Sequence, residues 1–308
     1  MLGPVLLAAA RSDSIRRIVS AAPVTRTVVD RYIAGERLDD AVATVDALTG
    51  RGLEVTLDHL GEGITDPTEA LRNRDAYLAL SEALARQGLG VRAEMSVKLS
   101  AFGQALPGGH DLALANVTPV VEAAAEAGTT VTLDMEDHTT TDSTLAILRD
   151  LRKRFPQTGA VLQSYLFRTE DDCRDLAGEG SRVRLVKGAY NEPASVAFQN
   201  KREVDKAYVR CLRTLMAGSG YPMIGSHDPR MVVIGQELAR RSGRKLDEYE
   251  FQMLYGIRDA EQDRLVAEGH RMRVYVPYGT DWYGYFMRRL AERPANLTFF
   301  LRSLATRD

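Results

Sequence analysis

A chain of 308 residues with 44% apolar residues, 27% charged residues and a net charge of −2 has the make-up of an ordinary soluble globular protein. That charge balance offers no basic face for nucleic acid, and no apolar run reaches the ~18 residues of a transmembrane helix. Cys173 and Cys211 are the only cysteines. They are too few and too far apart in sequence for a disulfide framework, and they suit a reducing, cytoplasmic compartment.

The apolar start, Leu2 to Ala10, has no charged segment before it and is not expected to be a cleaved signal. Leu6, Leu7, Ala10, Ile18 and Val19 are expected instead in a helical arm packed on the body. Residues 1–50 read as that arm, with Asp39 to Leu48 its clearest helix. A different rhythm then begins. Eight short strand-like runs follow: Leu53–Asp58, Val91–Lys98, Thr130–Met135, Ala160–Tyr165, Arg182–Lys187, Pro222–Ser226, Glu250–Leu254 and Met272–Pro277. The gaps hold helical segments such as Pro67–Gln87, Leu112–Ala127 and Pro193–Met216. Strands alternating with helices imply parallel βαβ units, and eight units over about 250 residues imply a (β/α)8 TIM-type barrel. No linker or low-complexity segment divides residues 51–308, which are expected to form one catalytic domain.

Side chains alternate faces along a strand. Val91, Ala93, Met95 and Val97 oppose Arg92, Glu94, Ser96 and Lys98. Val131, Leu133 and Met135 oppose Thr132, Asp134 and Glu136, and Met272, Val274 and Val276 oppose Arg273 and Tyr275. The apolar parity should pack on the helices and leave polar groups inside the barrel, where buried polar groups need partners or a ligand. Asp58, His59, Lys98, Asp134, Gln163, Tyr165, Arg184, Lys187, Ser226, His227, Gln252 and Tyr275 fall at or near strand C-termini, the face where this fold carries its active sites. Thr280–Glu292 reads as a short capping helix that gathers Tyr285, Arg288, Arg289 and Glu292 within an arc of about 100°.

Lys98, Arg184, Lys187, Arg288 and Arg289 give the site a cationic side that wants a small carboxylate, a phosphate-bearing cofactor or both. No dinucleotide-binding glycine fingerprint, P-loop or G-x-S-x-G elbow follows any strand. Ser100 and Ser226 are weak nucleophile candidates. Asp134, Glu136, Asp137 and His138 cluster in sequence, with His59, His110, His227 and His270 elsewhere. Yet Glu136 and Asp137 would point opposite ways on a strand, and no histidine pair has ligand spacing. The residues alone thus leave open a metal-dependent lyase or hydrolase using Asp134, Glu136 and His138, and a non-catalytic amino-acid-binding barrel.

Five motifs stand in order along the strands. They are Glu94-Met-Ser-Val-Lys-Leu-Ser100, Leu133-Asp-Met-Glu-Asp137, Arg184-Leu-Val-Lys-Gly-Ala-Tyr190, Glu250-Phe-Gln-Met-Leu-Tyr-Gly256 and Tyr285-x-x-Arg-Arg-x-x-Glu292. Together they resemble the proline dehydrogenase family, from about Leu57 to Leu304. The resemblance implies a distorted barrel holding FAD and oxidising L-proline to Δ1-pyrroline-5-carboxylate, with hydride passing from proline C5 to the flavin. It implies that Lys98, Arg288 and Arg289 hold the proline carboxylate, that Tyr275, Tyr285 and Leu254 wall its ring, and that Asp134 and Tyr190 support the pocket, with Glu292 a further residue of the catalytic set. Gln163, Arg184, Lys187, Gly188, Ala189, Tyr190, Ser226 and His227 match cofactor positions, beside Asp134 and Met135. Glu62 matches a residue that gates the site by pairing with the first arginine. The length resembles a monofunctional enzyme, with a separate pyrroline-5-carboxylate dehydrogenase acting next. A membrane quinone is the implied electron acceptor, reached from a peripheral position at the inner membrane face.

Overall fold

The computed structural model describes residues 29–292, with side chains through Met287. The expected contacts of Leu6, Leu7, Ala10, Ile18 and Val19 lie outside the described residues. So do the side chains of Arg288, Arg289 and Glu292.

Helix α1 (Leu38–Gly50) leads into β1 (Glu54–His59). Then follow α2 (Pro67–Gln87), β2 (Ala93–Lys98), α3 (Gly109–Glu126), β3 (Val131–Asp134), α4 (Thr141–Arg152), β4 (Gly159–Gln163), α5 (Thr169–Asp175) and β5 (Arg182–Val186). The chain continues through α6 (Lys201–Ala217), β6 (Tyr221–Gly225), α7 (Pro229–Arg241), β7 (Glu250–Leu254), α8 (Asp259–Ala267), β8 (Met272–Tyr278) and α9 (Trp282–Glu292). The eight strands are parallel, lie in sequence order and close into a barrel through β1 and β8. Each expected strand run overlaps one of them, with ends that differ by at most two residues.

Two expected boundaries move for local reasons. The helix expected from Pro193 begins only at Lys201, where the Asn200 side chain caps it by accepting from the Arg202 amide at 2.8 Å. Residues before Asn200 instead bridge back to the β4–α5 turn through Leu166 and Ala197. Glu136 and Asp137 follow the end of β3 rather than lying on it, so strand parity does not decide where they point.

The outward parity makes the core. Val55, Leu57, Met95, Val97, Leu133, Leu185, Val274 and Val276 are buried in one cluster with helix residues such as Val45, Leu80, Val117, Leu148 and Leu212. Met135 belongs to this cluster too. Cys173 on α5 and Cys211 on α6 are both buried and free. They are neighbours in space, and the hydrogen bond to Cys211, aided by burial, pushes the Cys173 thiol up.

The inward parity is charged. At the N-terminal end of the barrel Arg273, almost fully buried, donates to Glu250 at 2.7 Å and to the Val55 and Val91 carbonyls at 2.9 and 3.0 Å, and it also pairs with Glu54. Arg182 donates to Glu94 at 2.8 Å, and Tyr221 to Glu250 at 3.1 Å. Two guanidiniums thus face three carboxylates. Burial opposes ionisation of Glu250, but Arg273 and Arg182 overcome it and hold its carboxyl down to about 2. At Glu54 burial outweighs Arg273, and the carboxyl is pushed up. Gln252, expected at the mouth, is drawn down into this layer by Glu250 and the Met223 sulfur.

Candidate active site

The C-terminal mouth begins one layer above that plug. The β2–β3 register sets Lys98 beside Asp134. Asp134 accepts from Ser96 at 2.7 Å, from Arg184 at 2.9 Å and from the Tyr275 hydroxyl at 2.7 Å. Lys98 Nζ lies 2.7 Å from Asp58, 3.1 Å from the Tyr275 hydroxyl, and 3.4 Å from both Glu62 and Asp134. Tyr77 supports Asp58 from behind at 3.3 Å while donating to the Ser96 carbonyl at 2.7 Å. The Tyr275 ring lies beneath two cations, with Arg184 at 5.2 Å and Lys98 at 5.8 Å from its centroid.

Lys98 and Lys187, two of the expected cations, have carboxylate partners within the chain. Three carboxylates surround Lys98, and Lys187 pairs with Asp205 at 2.5 Å and Asp228 at 2.9 Å. Burial works against the Lys98 ammonium, but Asp58 and its neighbours more than compensate and hold its pKa well above the ordinary value. Asp134 stays low despite burial because Lys98 and Arg184 favour its charged form. Burial instead pushes Asp58 up, with Lys98 pulling the other way. Burial and the Asp134 charge keep the Tyr275 phenol protonated.

Arg184 is less completely satisfied, as are His59 Nδ1 and Ser164 Oγ at the same end of the barrel. It is 4% exposed, and its Nη1 is used by Asp134 and Ser96. Its Nε and Nη2 have no hydrogen-bond partner among the described residues, although Nη2 lies 3.5 Å from Glu94. A buried guanidinium with idle donors is costly unless an acceptor completes it.

The other expected residues divide between the mouth and its supports. Gln163 donates to the Glu136 carbonyl at 2.6 Å, and Glu136 holds the Ser100 amide and hydroxyl at 3.0 and 2.6 Å. His227 Nε2 accepts from the Leu254 amide at 2.9 Å. Ser226 accepts from the Asp228 amide at 3.2 Å. Leu254 packs against the cluster in which Tyr285 of α9 is buried with Leu60, Ile257, Trp282 and Phe286. The capping helix is therefore seated over the end of β7, and Trp282 ties it to Glu36 at 3.1 Å. Gly188 has φ 115°, and a Cβ there would overlap the Tyr165 ring. Tyr165 is thus reason enough for a glycine, whereas the sequence suggested a close ligand. The Met135 side chain faces the core, which leaves only its backbone to the mouth.

Sequence reasoning missed one further cluster. Glu192, buried in the β5–α6 loop, accepts from the His138 amide at 2.8 Å and from His138 Nδ1, and the Tyr165 hydroxyl donates to it at 3.4 Å. The Tyr190 amide in turn donates to that hydroxyl at 3.3 Å. Nothing in the spacing of residues 138, 165 and 192 announces this meeting. Asp134, Glu136 and His138, the set a metal would have needed, go to separate partners.

A parallel barrel whose C-terminal mouth carries buried charges around an incompletely bonded arginine defines a TIM-barrel enzyme working on a small polar substrate. Residues 41–302 match the proline dehydrogenase family. The chain is 39% identical to proline dehydrogenase 2 of Bacillus subtilis over 280 residues, 91% of each chain. It is 40% identical to the proline dehydrogenase of Deinococcus radiodurans over 280 residues, 90% of each. Its fold is similar to a crystal structure of proline utilization A (PutA) from Bdellovibrio bacteriovorus inactivated by N-propargylglycine, with TM-score 0.81 and 25% identity. That similarity covers 91% of this chain and 34% of the longer protein, so the chain spans about a third of it. The chain belongs to the proline dehydrogenase family and is an oxidoreductase of proline metabolism.

Proposed function

We propose that the mouth holds FAD beside L-proline and that the enzyme oxidises proline to Δ1-pyrroline-5-carboxylate. The observation that carries this reading is Arg184, buried on the floor of the mouth with two donor nitrogens that have no hydrogen-bond partner among the described residues. A flavin edge offers acceptors of the kind such a guanidinium needs. When bound, FAD supplies a two-electron acceptor for the hydride on proline C5. Gln163, Lys187, Gly188, Ala189, Tyr190, Ser226 and His227, with Asp134 and the Met135 backbone, are the residues that would hold it.

Lys98, Arg288 and Arg289 clamp the proline carboxylate, and Tyr275, Tyr285 and Leu254 wall the ring. Glu292 belongs to the same site, and Glu62 acts as the gate. Because its neighbours hold Lys98 protonated, it serves as a cation and not as a base. The substrate amine must be neutral for its lone pair to support loss of hydride from C5, and its proton leaves to solvent. The products balance as one hydride, one proton and the cyclic imine. The electrons then pass to a quinone, and a separate pyrroline-5-carboxylate dehydrogenase consumes the product. Among the described residues no helix is long and apolar enough to cross a membrane. On this reading the enzyme lies in the cytoplasm and meets quinone at the inner membrane face.

Purified protein should show visible flavin bands that bleach when L-proline is added without oxygen. A colourless protein that takes up no FAD would overturn the reading. Arg288→Met and Arg289→Met should each raise KM for proline at near-normal flavin content, by the ~2–5 kcal/mol typical of a desolvated charge losing its partner. Wild-type kcat/KM in both would remove the clamp.

A further inference from the structure

The loop between β5 and α6, residues 187–200, is long for a segment without helix or strand in a compact domain, and such loops are usually functional. Its far half is fastened by backbone. Phe167 N donates to Val196 O at 3.0 Å, Phe198 N donates to Tyr165 O at 2.8 Å, and Leu166 bridges Ala197. Its near half carries Gly188, Ala189 and Tyr190 and is fastened mainly through side chains. Tyr165 receives the Tyr190 amide, and Gln199 Nε2 donates back to the Glu192 carbonyl at 3.1 Å.

From that near half Glu192 reaches across the mouth. Its carboxylate takes both the amide and Nδ1–H of His138, in the loop that follows β3. Glu192 is 6% exposed, and a carboxylate is retained at such depth only where several donors meet it. The β3 end that it grips also carries Asp134, Met135 and Glu136, and Gln163 spans the space between through the Glu136 carbonyl. Both segments joined by the clasp carry residues that the flavin reading assigns to the cofactor: Asp134 and Met135 at the end of β3, and Lys187 to Tyr190 after β5.

We infer that Glu192 is a positioning residue: by clasping His138 it sets the gap between the β3 and β5 walls and so the fit of the flavin. The inference rests on the flavin reading of Gly188–Tyr190. A purely structural clasp would stabilise the apoprotein and leave cofactor affinity alone. A positioning clasp must move affinity and the electronic surroundings of the bound ring.

The test uses full-length apoprotein reconstituted with FAD, followed by quenching of flavin fluorescence, with the visible spectrum and the reduction potential of the bound flavin measured alongside. Glu192→Ala should weaken FAD binding at least about tenfold, within the coupling seen between contacting residues. It should also shift the flavin bands. Glu192→Gln, which keeps the shape and one acceptor, should recover part of both. His138→Ala should weaken binding less, because the amide bond survives, and adding it to Glu192→Ala should cost almost nothing more. The His138 side chain is 33% exposed, so this variant carries the test even where Glu192→Ala fails to fold. Unchanged FAD affinity and spectrum in both His138→Ala and Glu192→Gln, with wild type binding FAD normally, would overturn the clasp and leave the flavin reading intact. A wild-type protein that binds no FAD would overturn both.

Discussion

Asp134 joins four groups that no other residue connects so directly. Ser96, Arg184 and Tyr275 donate to it, and Lys98 lies 3.4 Å away. Arg184 is buried and loses its nearest carboxylate, whereas Lys98 keeps Asp58 and Glu62, so removal strands one charge. Breaking a buried pair from one side typically costs ~3–5 kcal/mol, and a single hydrogen bond to a charged group is worth ~1.5–3 kcal/mol. Asp134→Ala should therefore destabilise the apoprotein by ~3–5 kcal/mol and Tyr275→Phe by less, in urea melts. The double variant should fall short of the sum, because the two residues share a bond. Simple additivity would show that the Tyr275 hydroxyl and Asp134 act independently, against the 2.7 Å contact.

On strand β8 a second buried cation does structural work. Arg273 joins β8 to Glu250 on β7 and Glu54 on β1, closing the barrel with charge as well as with backbone bonds. Glu250 is depressed from the ordinary 4.5 to about 2. Its contribution is therefore present above about 4.5 and lost as pH falls from there through about 2. Glu54 is raised and has the opposite sign: it favours the fold when protonated and costs stability as pH rises through its value. Arg273→Met should cost ~3–5 kcal/mol near neutral pH, because carboxylates remain buried without their cation. That cost should shrink toward pH 4, where the bare carboxylates take up protons and the wild type begins to lose its Glu250 contribution. Urea melts at the two pH values decide it, since a cost independent of pH would mean the pairing with Arg273 is not what holds Glu250 down. The strands that carry these residues were legible because alternation along a strand is a local property. Lys98, Asp134, Arg184 and Tyr275 could be read as inward from their neighbours alone. Their partners could not: Asp58 is 40 residues from Lys98, and Tyr275 is 177 residues from it. The sequence therefore showed the cations Lys98, Arg184 and Lys187 but not the carboxylates that pair with them among the described residues. Loop residues follow no period, which is why Glu192 was invisible and why the helix expected from Pro193 starts at Asn200's cap.

Across the whole molecule the barrel interior divides into two charged layers with different degrees of completion. The lower one, around Arg273, finds nearly all its partners within the chain, apart from the Arg182 Nε. The upper one leaves two Arg184 nitrogens idle and gathers Lys98, Asp58, Glu62 and Asp134 within reach of each other. A barrel completed at one end should be unevenly stable, with local opening concentrated where buried polar groups lack partners. A ligand that binds only the native state adds about 2.7 kcal/mol at a hundredfold excess over its Kd. On the proposed reading that gain enters at the upper layer. Hydrogen exchange should therefore slow on adding FAD in the segments after β3, β4, β5 and β6, including residues 187–192 and 226–228. Exchange at the lower ends of β1, β7 and β8, around Glu54, Glu250 and Arg273, should change only as far as global unfolding does. Conditions that favour local opening over global unfolding, mild denaturant and neutral pH, separate the two. Uniform slowing at both ends would show that the barrel opens as one unit and that the idle Arg184 donors confer no local weakness for the cofactor to repair.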